Sequence, residues 1–287
     1  MEDYIYQIRR YLPIKFADDE ANEFLQYLEE TYLENIHNQK YQFAFKAFHM
    51  LYMTFIYKIS WFLSIIPTAN QMFDYSHLTK GEAEAITNLL KKKGFHKNDF
   101  KKCGFHVDAR NHCSHASGKI DYDEKGVDFL ISDELKYIER MQITIKSALK
   151  IFFEKFLNDH WSESLIGGDI AILFGESNIS RKDLEIIIEL KLPLFKKKSD
   201  NEKIVFQKIL YLVFINEAQK HLELDKNIFI ENLPMLMNGL IDEIKIEREE
   251  EEEKTISKQE IIEAHLIPII NELNEKDREE AETILNL

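Results

Sequence analysis

FAFKAFHMLYMTFIYKISWFLSII, residues Phe43 to Ile66, is the stretch on which the fold turns. Its length and its density of Phe, Tyr, Met and Ile would suit a membrane span, but Lys46, His49 and Lys58 lie inside it. Charge near the middle of a bilayer is costly, so the stretch reads as a helix buried on most sides within a bundle. That helix is expected from about Gln39 to Ile66, stopped by Pro67. Upstream, Asp18 and Asp19 suit the start of a helix running to about Ile36. Its apolar positions Phe24, Leu25, Leu28, Tyr32 and Leu33 recur at helical spacing. A shorter helix, Tyr4 to Leu12, precedes it and breaks at Pro13.

Downstream, a helix from Thr79 to Lys93 closes at Gly94, and residues 95 to 118 read as another helix ending near Gly118. Ile120 and Tyr122, a turn at Asp123-Glu124-Lys125-Gly126, then Val127, Phe129 and Ile131 have the alternation of a small β-hairpin. Ser132 is placed to cap the next helix, which runs to about Leu157. Polar residues and Gly167-Gly168 interrupt the pattern after Asn158. The expected organisation is therefore an all-α helical bundle over 1–158, with a hairpin insertion, followed by a second, acidic helical domain over 159–287. Within the latter, Arg181 to Leu190, Val205 to His221, Met235 to Ile246 and two amphipathic segments from Lys258 onward read as helices. The glutamate run around 247 to 253 reads as a solvated helix face or linker.

Composition agrees with this outline. Only 9 Gly and 5 Pro in 287 residues argue against an all-β fold, which needs many turns. Two cysteines cannot form a disulfide framework, and no basic region followed by an apolar run opens the chain, so a cytoplasmic protein without a membrane anchor is expected. The net charge of −14 offers no general attraction for nucleic acid, so any such role must rest on a local basic patch. No phosphate-binding glycine loop, dinucleotide fingerprint or nucleophile elbow is present.

The chemistry concentrates in Arg110-Asn111-His112-Cys113-Ser114-His115. A guanidinium binds phosphate oxygens in a bidentate way and stays charged, whereas an imidazole moves protons near neutral pH. On a helix Asn111 and His115, four apart, share a face. Arg110 lies about 140° round from His115, within reach of its long side chain. Such a set suits attack of an RNA 2′-hydroxyl on the adjacent phosphate, with no metal or cofactor required.

Arg110-Asn111 followed by His115 resembles the Arg-x(4–6)-His signature of the HEPN superfamily, in its common form with Asn after Arg. The helical setting, with the motif shortly before a last long helix, is similar over roughly residues 1 to 158. The resemblance implies a HEPN-like bundle and a metal-independent endoribonuclease of the toxin, abortive-infection or anti-phage defence type. It implies that Arg110 stabilises the scissile phosphate, His115 transfers the proton and Asn111 supports it; His112, within the same cluster, is an auxiliary candidate by its position alone. It also implies a homodimer with a composite active site, and an antitoxin or neighbour-encoded partner. Ser117 stands where family toxins silenced by nucleotidylation carry a tyrosine, so the motif does not support that form of control.

Lys91, Lys92, Lys93, Lys97, Lys101 and Lys102, interleaved with Phe95, His96 and Phe100, form the candidate RNA-binding stretch. Burial of the phenylalanines in the core is the competing reading. Cys103, His106, His112, Cys113 and His115 offer a rival zinc chemistry, but no second Cys-x-x-Cys pair completes a site and no metal is expected. His49 and Tyr52 share a helix face and read as a satisfied core pair. The alternative function is a non-catalytic helical module that binds RNA, nucleotide or a protein.

Overall fold

The structure, a computed structural model, describes residues 1–16, 18–65, 97–114, 122–159, 174, 179–189, 201–222, 227–237, 243–247 and 253–286. The described chain is mostly helical, and its contacts divide it into two compact units, Met1–Phe152 with Phe174–Ile186, and Phe153–Leu173 with Ile187–Leu287. The sequence places one boundary near residue 158. In the structure the chain leaves the first unit at Phe152, returns to it at Phe174 and leaves again after Ile186.

The first unit is built around α3 (Tyr41–Ile65), with α1 (Asp3–Arg9), α2 (Asp19–His37), α4 (Lys97–Ser114) and α5 (Glu124–Thr144) packed against it. Asp18 caps α2 by accepting from the Glu20 amide at 2.9 Å, as its position before the apolar stripe suggests. Every residue from 51 to 59 is buried, which is the bundle-helix solution for this apolar stretch. Among the described residues no helix is long and apolar enough to cross a membrane. Phe45, Phe48, Leu51, Phe55 and Ile56 on α3 share the core with Ile5, Leu28, Tyr32, Ile131 and Ile138.

Two expectations for the first unit are corrected. The proposed hairpin around 120–131 is not formed where it is described, because Glu124–Thr144 is one helix and Ser132 lies inside it. Asp123 accepts from the Gly126 amide at 2.8 Å, so the four residues taken for a turn are a helix N-cap and its first turn. A Cβ at Gly126 would stand 3.1 Å from the Asp123 carboxylate, which favours glycine there. Val127 and Ile131 are also one helical turn apart and both are buried, while Phe129 between them is 60% exposed. Residues 115–121 lie outside the described set, as does the expected helix Thr79 to Lys93.

The second unit is also mostly helical, but not wholly so. Helices α6 (Lys146–Asp159) and α7 (Arg181–Glu189) each begin in the first unit and end in the second, which also contains α8 (Asn201–Lys220) and α9 (Ile228–Met237). A two-stranded antiparallel sheet follows, β1 (Glu243–Glu247) paired with β2 (Glu253–Ser257), with Ile244 opposite Ile256 and Glu247 opposite Glu253. The expected helix Met235 to Ile246 is helical at Met235–Met237 but a strand at Glu243–Ile246, and of the glutamate run read as a helix face or linker Glu247 and Glu253 are strand residues while 248–252 are outside the described set. Ile244 and Ile246 alternate with charged neighbours at the period of a strand. Beyond it, α10 (Lys258–Ile261), a π-helical turn Ile262–Leu266, α11 (Ile267–Asn271) and α12 (Glu275–Leu285) complete the unit. Ser257 and Glu260 form a reciprocal capping box at the start of α10.

The returning segment is welded into the first unit. The Ile14 amide donates to the Ile179 carbonyl at 2.9 Å, and the Lys182 amide donates to the Arg10 carbonyl at 2.8 Å. Lys58, buried on α3, donates to the Asp183 carboxylate and, at 3.1 Å, to the Tyr11 carbonyl. Asp183 also accepts from Gln142 on α5 and from the Ser180 amide and hydroxyl, each of the latter at 2.8 Å. The charge inside α3 that argued against a membrane span is therefore answered by a carboxylate brought back from beyond residue 158.

Candidate functional site

Helix α4 carries Arg110-Asn111-His112-Cys113-Ser114 in its last turn and a half. Its buried side is formed by Cys103, His106, Ala109 and Cys113. Among the described side chains none on that side is a large apolar residue, and polar links hold the helix in place. The Tyr52 hydroxyl donates to Cys103 Sγ at 3.3 Å, and His106 Nε2 lies 3.0 Å from the Asp133 carboxylate on α5. His106 Nδ1 faces the Tyr52 hydroxyl at 3.4 Å, and the Tyr52 and Tyr137 rings meet the imidazole edge-on. Gln42 donates from α3 to the Cys113 carbonyl, and the Tyr122 hydroxyl donates to the Ala109 carbonyl at 2.8 Å. Buried polar groups satisfied in this way fix a unique arrangement of the helices they join.

A second buried pair lies alongside. His49 Nδ1 on α3 stands 2.6 Å from Glu134 Oε1 on α5, both side chains being fully buried. The His49 and Tyr52 rings are 5.6 Å apart. The expected core pair His49/Tyr52 is therefore one part of a larger polar layer joining α3, α4 and α5. Asp133 and Glu134 directly follow Ser132, and as acids beside an expected helix cap they do not stand out in the sequence. The missed signal is that Glu134 falls on the apolar stripe of Val127, Ile131, Ile138 and Met141.

The electrostatics follow from this packing. Burial pushes Asp133 up, but hydrogen bonds from His106 and from Lys102 at 3.2 Å outweigh it and hold the carboxyl below its usual value. Burial, with Cys103 beside it, raises the Tyr52 hydroxyl well above the ordinary range. Burial likewise raises the Cys113 thiol, against smaller opposing effects of the Tyr122 hydroxyl and Lys46, so this cysteine stays a protonated core residue. Cys103 and His106, named for zinc, are turned towards Tyr52 and Asp133. Among the described residues no group of three or more His, Cys, Asp or Glu is assembled for a metal.

Arg110 and Asn111 are half-buried, whereas His112 and Ser114 are exposed. The Ser114 hydroxyl donates back to the Arg110 carbonyl at 3.1 Å, tightening the turn from which the chain leaves α4. His115, the expected proton carrier, and Ser117 lie outside the described residues. So do Lys91, Lys92 and Lys93. Lys97 opens α4, and Lys101 and Lys102 are exposed further along it. Lys102 also lies 5.8 Å from the Phe105 ring centroid. At about 1.5 Å per residue, Lys101 lies about 13 Å along the helix from Arg110, so these lysines belong to the approach to the motif, not to its turn. Comparison with family models, with curated proteins and with solved structures finds no match for this chain.

Proposed function

We propose that the chain is a metal-independent endoribonuclease of the HEPN type, cleaving single-stranded RNA. The 2′-oxygen forms a bond to phosphorus while the bond to the 5′-oxygen breaks, leaving a cyclic 2′,3′-phosphate and a 5′-hydroxyl. The proton of the 2′-hydroxyl passes to a base, and the departing 5′-oxygen takes one from an acid. His115 serves in that proton traffic, Asn111 orients it, and Arg110 neutralises the charge that builds on the phosphate.

One observation carries this reading: Arg110 and Asn111 are half-buried in the last turn of a helix fixed by polar links to both neighbours. A preorganised cation loses little in ordering when a phosphate arrives, which is where most electrostatic catalysis originates. Each chain contributes one such motif, and acid and base together call for two proton carriers. The proposal therefore includes a homodimer with the site shared between copies. The biological role that accompanies it is growth arrest or phage defence in the cytoplasm, under control of a neighbour-encoded partner.

The test is cleavage of labelled single-stranded RNA by the full chain, the Arg110→Ala variant and the His115→Ala variant. Loss of cleavage in both variants with unchanged helical content is the expected result. RNA retention in a gel shift with no cleavage by the wild-type chain would instead favour the binding-module reading.

A further inference from the structure

Helices α3 and α4 run antiparallel in a register that two bonds define. Gln42 reaches Cys113 and Tyr52 reaches Cys103, ten residues along each helix. Arg110, three residues before Cys113, is therefore level with Phe45, three after Gln42, and one position from Lys46. Phe45 is buried and stacks on Tyr122, with ring centroids 6.2 Å apart. Lys46 is turned the other way. At about 100° per residue, Phe45, His49 and Tyr52 lie to one side of Gln42 on the helical wheel, and Lys46, Met50 and Phe43 lie about 40° to 100° to the other.

That outer edge of α3 has an unusual surface for so acidic a chain. Phe43 is 51% exposed and Met50 43% exposed. Lys46 Nζ lies 5.3 Å from the Phe43 ring centroid. On α4 the same reasoning puts Ala109 and Lys102, which meet Tyr122 and Asp133, to one side of Cys113, and Arg110 about 60° to the other. Lys46 and Arg110 thus stand at one level on adjacent helices, with an exposed aromatic ring beside them. An ammonium and a guanidinium beside a ring match the phosphates and base of a single-stranded nucleotide.

We infer that Phe43 and Lys46 form a nucleotide subsite next to Arg110, in which the Phe43 ring stacks a base and Lys46 holds a phosphate flanking the scissile one. This inference rests on the ribonuclease reading and names where its single-stranded substrate lies. The ring makes the subsite tolerant of base identity, since every base has a face to stack, and it disfavours paired RNA, whose bases are not available to it.

The test compares the full-length wild-type chain with Phe43→Ala, Phe43→Trp and Lys46→Gln, using a short single-stranded RNA, steady-state kinetics and sedimentation at the assay concentration. Phe43→Ala is expected to raise KM roughly 5- to 100-fold with little change in kcat, and Phe43→Trp to restore it. Lys46→Gln is expected to raise KM and to flatten its dependence on salt. An unchanged KM in Phe43→Ala and Lys46→Gln, with the wild-type chain cleaving normally, would overturn the subsite while leaving the ribonuclease reading intact. Dissociation of a wild-type dimer by Phe43→Ala, with activity falling in step, would overturn it by assigning this edge to a contact between copies. Absence of both cleavage and RNA binding in the wild-type chain would remove both readings together.

Discussion

At one end of α3, Lys58 is 1% exposed and tied to Asp183 and to the Tyr11 carbonyl, with Gln142 and Ser180 completing the carboxylate's bonds. At the other end, Lys46 is half-buried beside an exposed Phe43 and level with Arg110. Both lysines interrupt the same apolar helix. The first is committed to holding the unit together, because a buried charge is tolerable only when it is matched. The second is half-buried beside the exposed Phe43 ring, where the proposed subsite would place a phosphate. Between the ends, His49–Glu134 and His106–Asp133 form a polar layer that belongs with the first kind, with His49, Glu134 and His106 fully buried and only the Asp133 carboxylate reaching Lys102 at the surface. Among the described residues of this unit, the Lys58–Asp183, His49–Glu134 and His106–Asp133 pairs tie helices together, whereas Lys46 and Arg110 are half-buried at one level of α3 and α4.

The largest expected effect lies at the committed end. Asp183→Ala leaves Lys58 buried opposite no carboxylate and should cost about 3–5 kcal/mol, measured as a lowered denaturation midpoint. For the same reason a chain ending at residue 158 should fail to give a folded first unit, since it lacks Ile179, Ser180 and Asp183. A cooperative melt from that shortened chain, matching the full-length one, would dissolve the contrast between the two ends.

At the exposed end, stability and activity should separate. Arg110→Ala is expected to melt within about 1 kcal/mol of the wild-type chain, the usual range for a residue outside the core. Its RNA cleavage should fall by roughly 10²- to 10³-fold, as when a donor to a developing negative charge is removed. An equal loss of stability and activity would place Arg110 with the structural charges instead.

The smallest effect concerns acid. The Asp133 carboxyl is held below its ordinary value in the folded chain, so its bonds to His106 and Lys102 contribute stability fully present above the unfolded carboxylate pKa of about 4. That contribution fades as pH falls through the folded value. Asp133→Asn should therefore reduce stability slightly at pH 7 and shallow its decline below pH 4. A decline parallel to that of the wild-type chain would show that the pair titrates without consequence.

Much of the first unit was legible because its signals are local. Asp18 ahead of Phe24, Leu28 and Tyr32 announces α2, and an apolar run broken by Lys46, His49 and Lys58 announces a bundle helix with polar business inside it. The start of α5 was misread for a physical reason. Val127, Phe129 and Ile131 alternate like a strand, yet Val127 and Ile131 are also four apart, and an Asp with Gly three residues later suits a turn and a helix cap alike. The β-hairpin of the second unit was hidden in the opposite way. Glutamate, lysine and isoleucine around 243–257 favour a helix by composition, and Ile244 and Ile246 alternate over too few residues to announce a strand. What no local pattern could disclose is non-local: that Asp183 answers Lys58, and that Asp133 and Glu134 answer His106 and His49. The candidate site was visible as residue types at Arg110 and Asn111; its neighbour on α3 required the register that Gln42 and Tyr52 establish.

The most direct test of the central claim is the chemistry of the RNA ends. Full-length protein incubated with 5′-labelled single-stranded RNA in excess chelator should leave a cyclic 2′,3′-phosphate on one fragment and a 5′-hydroxyl on the other, with both formed far more slowly by Arg110→Ala or His115→Ala. Products bearing a 5′-phosphate, cleavage that requires an added divalent metal, or unchanged cleavage by those two variants would contradict it.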